Sequence, residues 1–225
     1  MTVHQGLSLP HPGLFSHEAA GFPALRLPQA SAGQRIGLFG GTFNPPHRGH
    51  RHVAVAALKR LGLDEVWWMV TPGNPLKSGA DLPPLQRRVA LTERFAQHPR
   101  MRVTAFESAI GTPFSAEAIR HARARRPGVK FVWVMGADNL ASLHRWQNWR
   151  TILRLMPVAV VGRPGAAMAP LSAPASRAFS RYRLPEVMAT GLADQKPPAW
   201  VFLHVPLDPL SSTALRSGSI TAGMS

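Results

Sequence analysis

The chain of 225 residues contains no cysteine and no long apolar run. The absence of cysteine excludes a disulfide framework, a thiolate metal site and a cysteine nucleophile. No apolar run approaches the roughly 18 residues that a membrane-spanning helix needs. The first residues also lack the basic start and apolar block of a secretory signal. We therefore expect a cytoplasmic protein with no membrane partner.

Acidic residues are scarce as well, with 11 Asp and Glu against 26 Lys and Arg, for a formal net charge of +15. Such an excess favours anionic partners, which include nucleic acid, a membrane surface and phosphorylated small molecules. An overall arginine-rich composition, with the arginines on a solvated surface, would produce the same net charge without any anionic partner. The densest basic run, residues 120–130, lies where a predicted helix ends, and the helix dipole favours cations there without any ligand.

Apolar strand-like segments alternate with amphipathic helix-like segments from residue 35 onward. The predicted strands are 35–40, 65–71, 101–107, 130–136, 157–161 and 200–205, and the predicted helices are 48–62, 83–98, 114–126 and 146–156. This alternation predicts βαβ units and a parallel sheet covered on both faces. Residues 1–34 are predicted to be a loose extension, 35–216 the domain and 217–225 a tail. Residues 163–199, rich in Pro, Ala and Ser, are expected to be mostly irregular.

The stretch GLFGGTFNPPHRGH, residues 37–50, connects the first predicted strand to the first predicted helix. Ligands of open α/β sheets gather at the carboxyl ends of strands, where this stretch begins. Gly40 and Gly41 let backbone amides approach a phosphate, and the helix N-terminus adds unpaired N–H donors. His47 and His50 are three residues apart and therefore share one side of the first helical turn. The stretch predicts a phosphate-binding site.

Other interpretations of this stretch account for less of it. A Walker A loop needs GxxxxGK[ST] and a dinucleotide-binding loop needs GxGxxG, and neither pattern is present. A metal site built on His47, His50 and His52 would lack a nearby carboxylate or thiolate. A purely structural turn would explain the glycines and prolines but not the histidines.

Five stretches together carry a resemblance to a known family. They are GGTFNPPHRGH, TPGNPLK (71–77), MGADNLASLHRWQNW (135–149), VVGRPG (160–165) and LSSTALR (210–216). Their order and spacing resemble the nicotinate-nucleotide adenylyltransferases of the HxGH nucleotidyltransferase superfamily, over residues 35–216. The resemblance implies an α/β fold with a Rossmann-like, doubly wound parallel sheet. It also implies transfer of AMP from ATP to nicotinate mononucleotide, which gives deamido-NAD and pyrophosphate.

The same resemblance implies roles for individual residues. His47 and His50 would be catalytic, binding the ATP phosphates and stabilising charge in the transition state. The other groups implied to bind ATP or its phosphates are Gly40, Gly41, Thr42, Phe43, Gly136, Asp138, Ser211, Ser212, Thr213 and Arg216. Those implied to bind the nicotinate nucleotide are Lys77, Phe114, Ser115, Trp146 and Arg163. Mg²⁺ is the expected cofactor, bound through ATP phosphates with no metal site made by the protein.

Several points stay open at this stage. Trp146 matches the position that stacks on nicotinate, whereas Trp149 is expected in the core. Phe114 and Ser115 stand where related sequences commonly show Tyr-Thr near the nicotinate carboxylate. The alternative acceptors are nicotinamide mononucleotide and another phosphorylated molecule such as phosphopantetheine, the latter disfavoured by the HRWxxW context. A basic nucleic-acid-binding protein is the alternative of a different class, but the chain has no helix-turn-helix, zinc-finger or RNP signature. Association as a homo-oligomer is also left open.

Overall fold

The computed structural model describes residues 21–73, 82–112, 114–162 and 169–204. Within these ranges the strands are β1 (Arg35–Gly41), β2 (Glu65–Val70), β3 (Met101–Thr104), β4 (Lys130–Gly136), β5 (Val158–Val161), β6 (Arg183–Leu184) and β7 (Trp200–Leu203). They form one seven-stranded sheet in the order β3-β2-β1-β4-β5-β7-β6. Every neighbouring pair is parallel. The chain runs outward from β1 on one side and then on the other, so the sheet is doubly wound, as predicted.

Helices cover both faces of this sheet. The α-helices of the described ranges are α1 (Arg48–Arg60), α2 (Leu85–Phe95), α3 (Phe106–Ala109), α4 (Ser115–Arg125), α5 (Ala137–Ser142), α6 (Trp149–Leu155) and α7 (Pro174–Ala178). Short 3-10 helices lie at Pro23–Leu25, Leu143–Arg145, Ala169–Ser172, Ser180–Tyr182 and Glu186–Asp194. None of the helices in this part of the chain is long and apolar enough to cross a membrane.

Strand residues alternate between two hydrophobic layers because successive side chains of a strand point to opposite faces. Phe39 and Trp68 belong to the layer that α1, α2 and the 186–194 helix cover. Leu38 and Trp67 belong to the other layer, which α3 to α7 cover. Both faces of the central strands are buried, which explains why their sequences read as continuous apolar runs.

Several predicted boundaries differ from the observed elements. The strand predicted over 101–107 ends at Thr104, because the Ala105 N–H donates to the Ala24 carbonyl at 2.6 Å and α3 begins at the next residue. The helix predicted over 146–156 begins only at Trp149, since Asn148 has a left-handed backbone with φ 55°. The mostly irregular structure expected for 163–199 is wrong for residues 169–199, which form short helices and β6.

Residues 22–34, called here the N-terminal strap, pack against the domain ahead of the predicted boundary at residue 35. Phe22, Ala24 and Leu25 contact the layer under α1 and α2. Arg126, just after α4, donates to the carbonyls of Leu27 and Pro28 at 3.0 and 2.9 Å. The strap therefore connects the outer strand β3 to the end of α4 before the chain enters β1.

Candidate active site

The site lies where β1 and β4 run side by side at the centre of the sheet. Phe39 of β1 is opposite Val134 of β4. Beyond these residues the chain leaves β1 for α1 on one face and leaves β4 for α5 on the other. A crevice opens at the carboxyl ends of two such strands, and it is the usual ligand site of doubly wound sheets. The structure therefore brings residues 40–43 of the first loop to the same edge as residues 136–138.

The two glycines at the end of β1 have no room for side chains. A Cβ added to Gly40 would lie 3.0 Å from Cη2 of Trp133, and one added to Gly41 would lie 3.1 Å from the Phe43 ring. Phe43 itself has a left-handed backbone with φ 44°, which non-glycine residues rarely adopt. Its ring is buried and packs edge-on against Phe39, with centroids 5.5 Å apart. This packing fixes the course of the loop.

The two histidines of the loop form a stacked pair at the start of α1. Their ring centroids are 3.8 Å apart, with the planes tilted by 32°. Nδ1 of His50 accepts a hydrogen bond from the His47 backbone N–H at 3.2 Å. A neutral His50 ring therefore carries its proton on Nε2, where it serves as a donor. His47 is 2% exposed and His50 is partly exposed, so His50 is the more accessible of the two rings.

The end of β4 supplies the opposite side of the crevice. Gly136 is the extended residue before α5, and Asp138 is exposed in the first turn of that helix. Trp146 follows the Leu143–Arg145 helix in extended conformation and packs partly against the layer that α5 and α6 cover. Trp149, by contrast, is 8% exposed and packs edge-on against Phe179, in the core position expected for it.

Phe114 and Ser115 lie at the N-terminal end of α4, in the helical layer that covers the sheet face with Leu38 and Trp67. Phe114 precedes the helix and Ser115 is its first residue, and both are partly buried. The Phe114 N–H donates to Oγ1 of Thr112 at 3.2 Å. The Thr112 hydroxyl donates in turn to the carboxylate of Glu117. These bonds hold the first turn of α4 in place.

A family model described as cytidylyltransferase-like matches residues 38–218. The chain belongs to this family.

The sequence matches to curated relatives cover most of the chain. A protein of Rhizobium meliloti (strain 1021) named "Probable nicotinate-nucleotide adenylyltransferase" is 57% identical over 182 residues, which cover 81% of this chain and 97% of the relative. A protein of the same name from Agrobacterium fabrum is 53% identical, with the same coverage of both chains. Another from Brucella abortus is 53% identical over 80% of this chain and 93% of its own length. The family resemblance inferred from the five sequence stretches is confirmed.

Two solved structures of the Plasmodium falciparum nicotinic acid mononucleotide adenylyltransferase share the fold. The complexes with APC and with NaAD match this chain with TM-scores of 0.58 and 0.60, at 13% and 14% identity. Each match covers 82% of this chain and 83% of the other. At so low an identity the likeness is evidence for the fold alone.

Two buried charged side chains of this family member were not anticipated from the sequence. Arg88 of α2 is 2% exposed, and its guanidinium donates only to main-chain carbonyls of the loops after β1 and β2 and before α2. Glu107 of α3 is 1% exposed, and neither carboxyl oxygen has a hydrogen-bond partner in the described part of the chain. Burial raises the pKa of Glu107 to about 8, so the carboxyl is mostly protonated at neutral pH. Arg88 lies in a predicted amphipathic helix and Glu107 ends a predicted strand. A charged residue at either kind of position normally indicates the surface, so the sequence offered no signal for either.

The remaining predicted site residues fall outside the described ranges. They are Lys77, Arg163, Ser211, Ser212, Thr213 and Arg216. Among the residues that the structure does describe, no group of three or more His, Asp or Glu side chains is placed to hold a metal ion.

Proposed function

We propose that the protein transfers AMP from ATP to the phosphate of nicotinate mononucleotide, forming deamido-NAD and releasing pyrophosphate. The observation that carries this proposal is the pairing of β1 with β4, which places the 40–43 segment leading to the His47–His50 pair beside the end of β4. It is supported by the 57% identity to a relative named "Probable nicotinate-nucleotide adenylyltransferase" over 97% of that relative's length. We place the reaction in the cytoplasm, the compartment expected from the sequence.

The reaction needs no nucleophile from the protein. A phosphate oxygen of nicotinate mononucleotide attacks the α-phosphorus of ATP, and the bond from that phosphorus to the bridging oxygen of the β-phosphate breaks. The pyrophosphate leaves with the electron pair of the broken bond. Since both substrates are polyanions, the protein must align them and neutralise developing charge.

The crevice between β1 and β4 supplies groups suited to these tasks. In this proposal the backbone amides of residues 42 and 43 and the N-terminal turn of α1 receive the ATP phosphates. His50 donates a hydrogen bond from Nε2 to a phosphate oxygen. This bond stabilises the transition state most if that oxygen gains negative charge during the reaction. His47 stacks against the His50 ring and limits its rotation. Ser211, Ser212, Thr213 and Arg216 form a second phosphate-binding segment in this proposal, and Lys77 and Arg163 contact the substrates.

The acceptor is recognised by an aromatic side chain and a helix N-terminus. Trp146 stacks on the pyridine ring, and the first turn of α4, with Phe114 and Ser115, interacts with its carboxylate. A helix N-terminus stabilises a negative charge, so this arrangement favours the nicotinate over the uncharged nicotinamide ring.

The imidazoles and backbone amides of the crevice suit phosphate oxygens better than they suit Mg²⁺. Imidazoles and backbone amides predominate, and Asp138 is the carboxylate at the β4 end. Mg²⁺ prefers oxygen ligands and commonly binds through substrate phosphates. We therefore propose that Mg²⁺ would be held through the ATP phosphates. When bound, it supplies positive charge to the triphosphate.

Pyrophosphate release from ATP tests the proposal directly. We expect release with nicotinate mononucleotide and a lower kcat/KM with nicotinamide mononucleotide. A preference for the amide would contradict the substrate assignment. Tight DNA binding with a steep dependence on salt, together with no pyrophosphate from either acceptor, would favour the nucleic-acid-binding alternative.

A further inference from the structure

Arg88 joins three segments around the crevice through four hydrogen bonds. Nη1 donates to the Thr42 carbonyl at 3.1 Å, in the loop after β1, and to the Thr71 carbonyl at 2.7 Å, in the loop after β2. Nη2 donates to Pro72 at 3.2 Å, and Nε to Pro83 at 3.1 Å. Among the described residues, every acceptor of Arg88 is a backbone carbonyl and none is a carboxylate.

Packing alone does not account for this arrangement. A buried cation without an anionic partner is unfavourable compared with a well-packed apolar side chain of similar size. Burial accordingly lowers the pKa of Arg88 from its ordinary value. What the guanidinium adds is a planar set of five N–H donors with fixed directions, which neither an apolar chain nor a lysine supplies.

The bond to Thr42 determines which way the next amide points. In a trans peptide the C=O of one residue and the N–H of the next lie in one plane and point in opposite directions. The peptide between Thr42 and Phe43 is not among the cis bonds of the chain. Because the Thr42 carbonyl points to Arg88, the Phe43 N–H points away from Arg88. Within the described residues, no hydrogen bond occupies that N–H.

We infer that Arg88 is a positioning residue that turns the Phe43 N–H toward the phosphate chain of the substrate. The inference rests on the proposed function, since it takes the phosphate to be that of ATP. The same guanidinium also holds Thr71 and Pro72, so the first residues after β2 are fixed beside the loop after β1. Arg88 touches no substrate and acts through the loops that do.

Four variants separate positioning from stability. Arg88→Met removes all four bonds, and Arg88→Lys keeps the charge but loses the planar set of donors. Val89→Ala is the matched control for lost stability, because Val89 is the next residue of α2 and is buried. Arg87→Met is the control for charge, because Arg87 is exposed on the same helix.

We expect Arg88→Met to lower kcat with ATP by about tenfold or more, because misaligned groups lose most of their effect in the transition state. Arg88→Lys should lose most of the same activity. Val89→Ala should lower Tm while its kcat and KM stay within about twofold of the parent values. Arg87→Met should leave Tm, kcat and KM at the parent values. The inference fails if both Arg88 variants keep the kcat and KM of the parent while losing as much Tm as Val89→Ala.

Hydrogen exchange without substrate gives a second readout that does not depend on the reaction. Arg88→Met should selectively speed exchange of the loop amides of His47 and Thr71, which donate to the His50 ring and to the Gly41 carbonyl. Val89→Ala should affect α2 and leave these two amides protected. Equal exchange of the loop amides in both variants would overturn the inference. A parent enzyme that releases no pyrophosphate would instead refute the proposed function and leave this measurement valid. If Arg88→Met does not fold, the comparison of Arg88→Lys with Val89→Ala decides the matter in the same way.

Discussion

At the scale of single residues, burial changes the chemistry that side chains have in water. Glu107 is buried with no hydrogen-bond partner among the described residues, and its carboxyl is therefore mostly protonated near pH 7. Arg88 is enclosed too, but its hydrogen bonds to carbonyl oxygens keep it in place. Neither position was predicted from the sequence, because both depend on where distant loops end in space. The glycines and histidines of the first loop were predicted because their chemistry is local.

Glu107→Gln should change how stability depends on pH. The folded pKa of Glu107 is raised from 4.5 to about 8, so the folded state binds a proton that the unfolded state has released over this interval. The free energy of unfolding of the parent therefore falls as pH rises through this interval. The glutamine variant lacks this contribution and should be the more stable protein above pH 8. Urea unfolding between pH 5 and 9 measures the difference, and parallel curves for the two proteins would contradict the prediction.

Gly41→Ala should distort the phosphate-binding loop. The added methyl group would lie 3.1 Å from the Phe43 ring, which is packed and has little space to move. We expect a loss of about 1–3 kcal/mol in the free energy of unfolding, together with a lower kcat. Gly191→Ala is the control, because nothing lies within 4 Å of a Cβ at that position. Equal stability and kcat in the two variants would show that the loop accommodates the methyl group.

At the scale of elements, the order of strands and helices was largely predictable from the sequence, but the residues at which they begin and end were not. The apolar alternation of residues 101–107 continues past Thr104, so sequence periodicity gave no sign that the Ala105 N–H would bond to the N-terminal strap. The helix predicted from residue 146 starts late because the Asn148 backbone is left-handed, which its residue type permits but does not require. Both differences arise from contacts or conformations outside the local pattern.

Arg126→Met should release the N-terminal strap. The variant loses two hydrogen bonds to the carbonyls of Leu27 and Pro28, and we expect a loss of about 1–3 kcal/mol in the free energy of unfolding. Limited proteolysis should then cut within residues 22–34 faster than in the parent. Arg125→Met removes an exposed arginine from the same helix end and should leave the cleavage rate unchanged. Equal cleavage of the two variants would mean that Arg126 does not hold the strap.

At the scale of the whole molecule, topology assembles the site from distant parts of the sequence. Residues 40–43 and 136–138 are almost a hundred positions apart, and the adjacency of β1 and β4 brings them to one edge. The alternating pattern predicted a parallel sheet, but strand order had to come from the family resemblance or from the structure. Part of the positive charge lies elsewhere, since Asp194 pairs with Arg35 and Lys130 at the amino ends of β1 and β4. Net charge is therefore a weaker guide to the substrate than the geometry of the crevice.

The central claim is that the Nε2–H of His50 acts on the triphosphate, and pyrophosphate release by His50→Asn tests it most directly. The amide of asparagine can still accept the His47 backbone N–H, but it lacks the Nε2–H donor. We expect kcat to fall by about a hundredfold or more with little change in Tm. His52→Ala, a variant of the same helix, should keep nearly all activity. Parent-like pyrophosphate release by His50→Asn, or an equal loss in His52→Ala, would contradict the account.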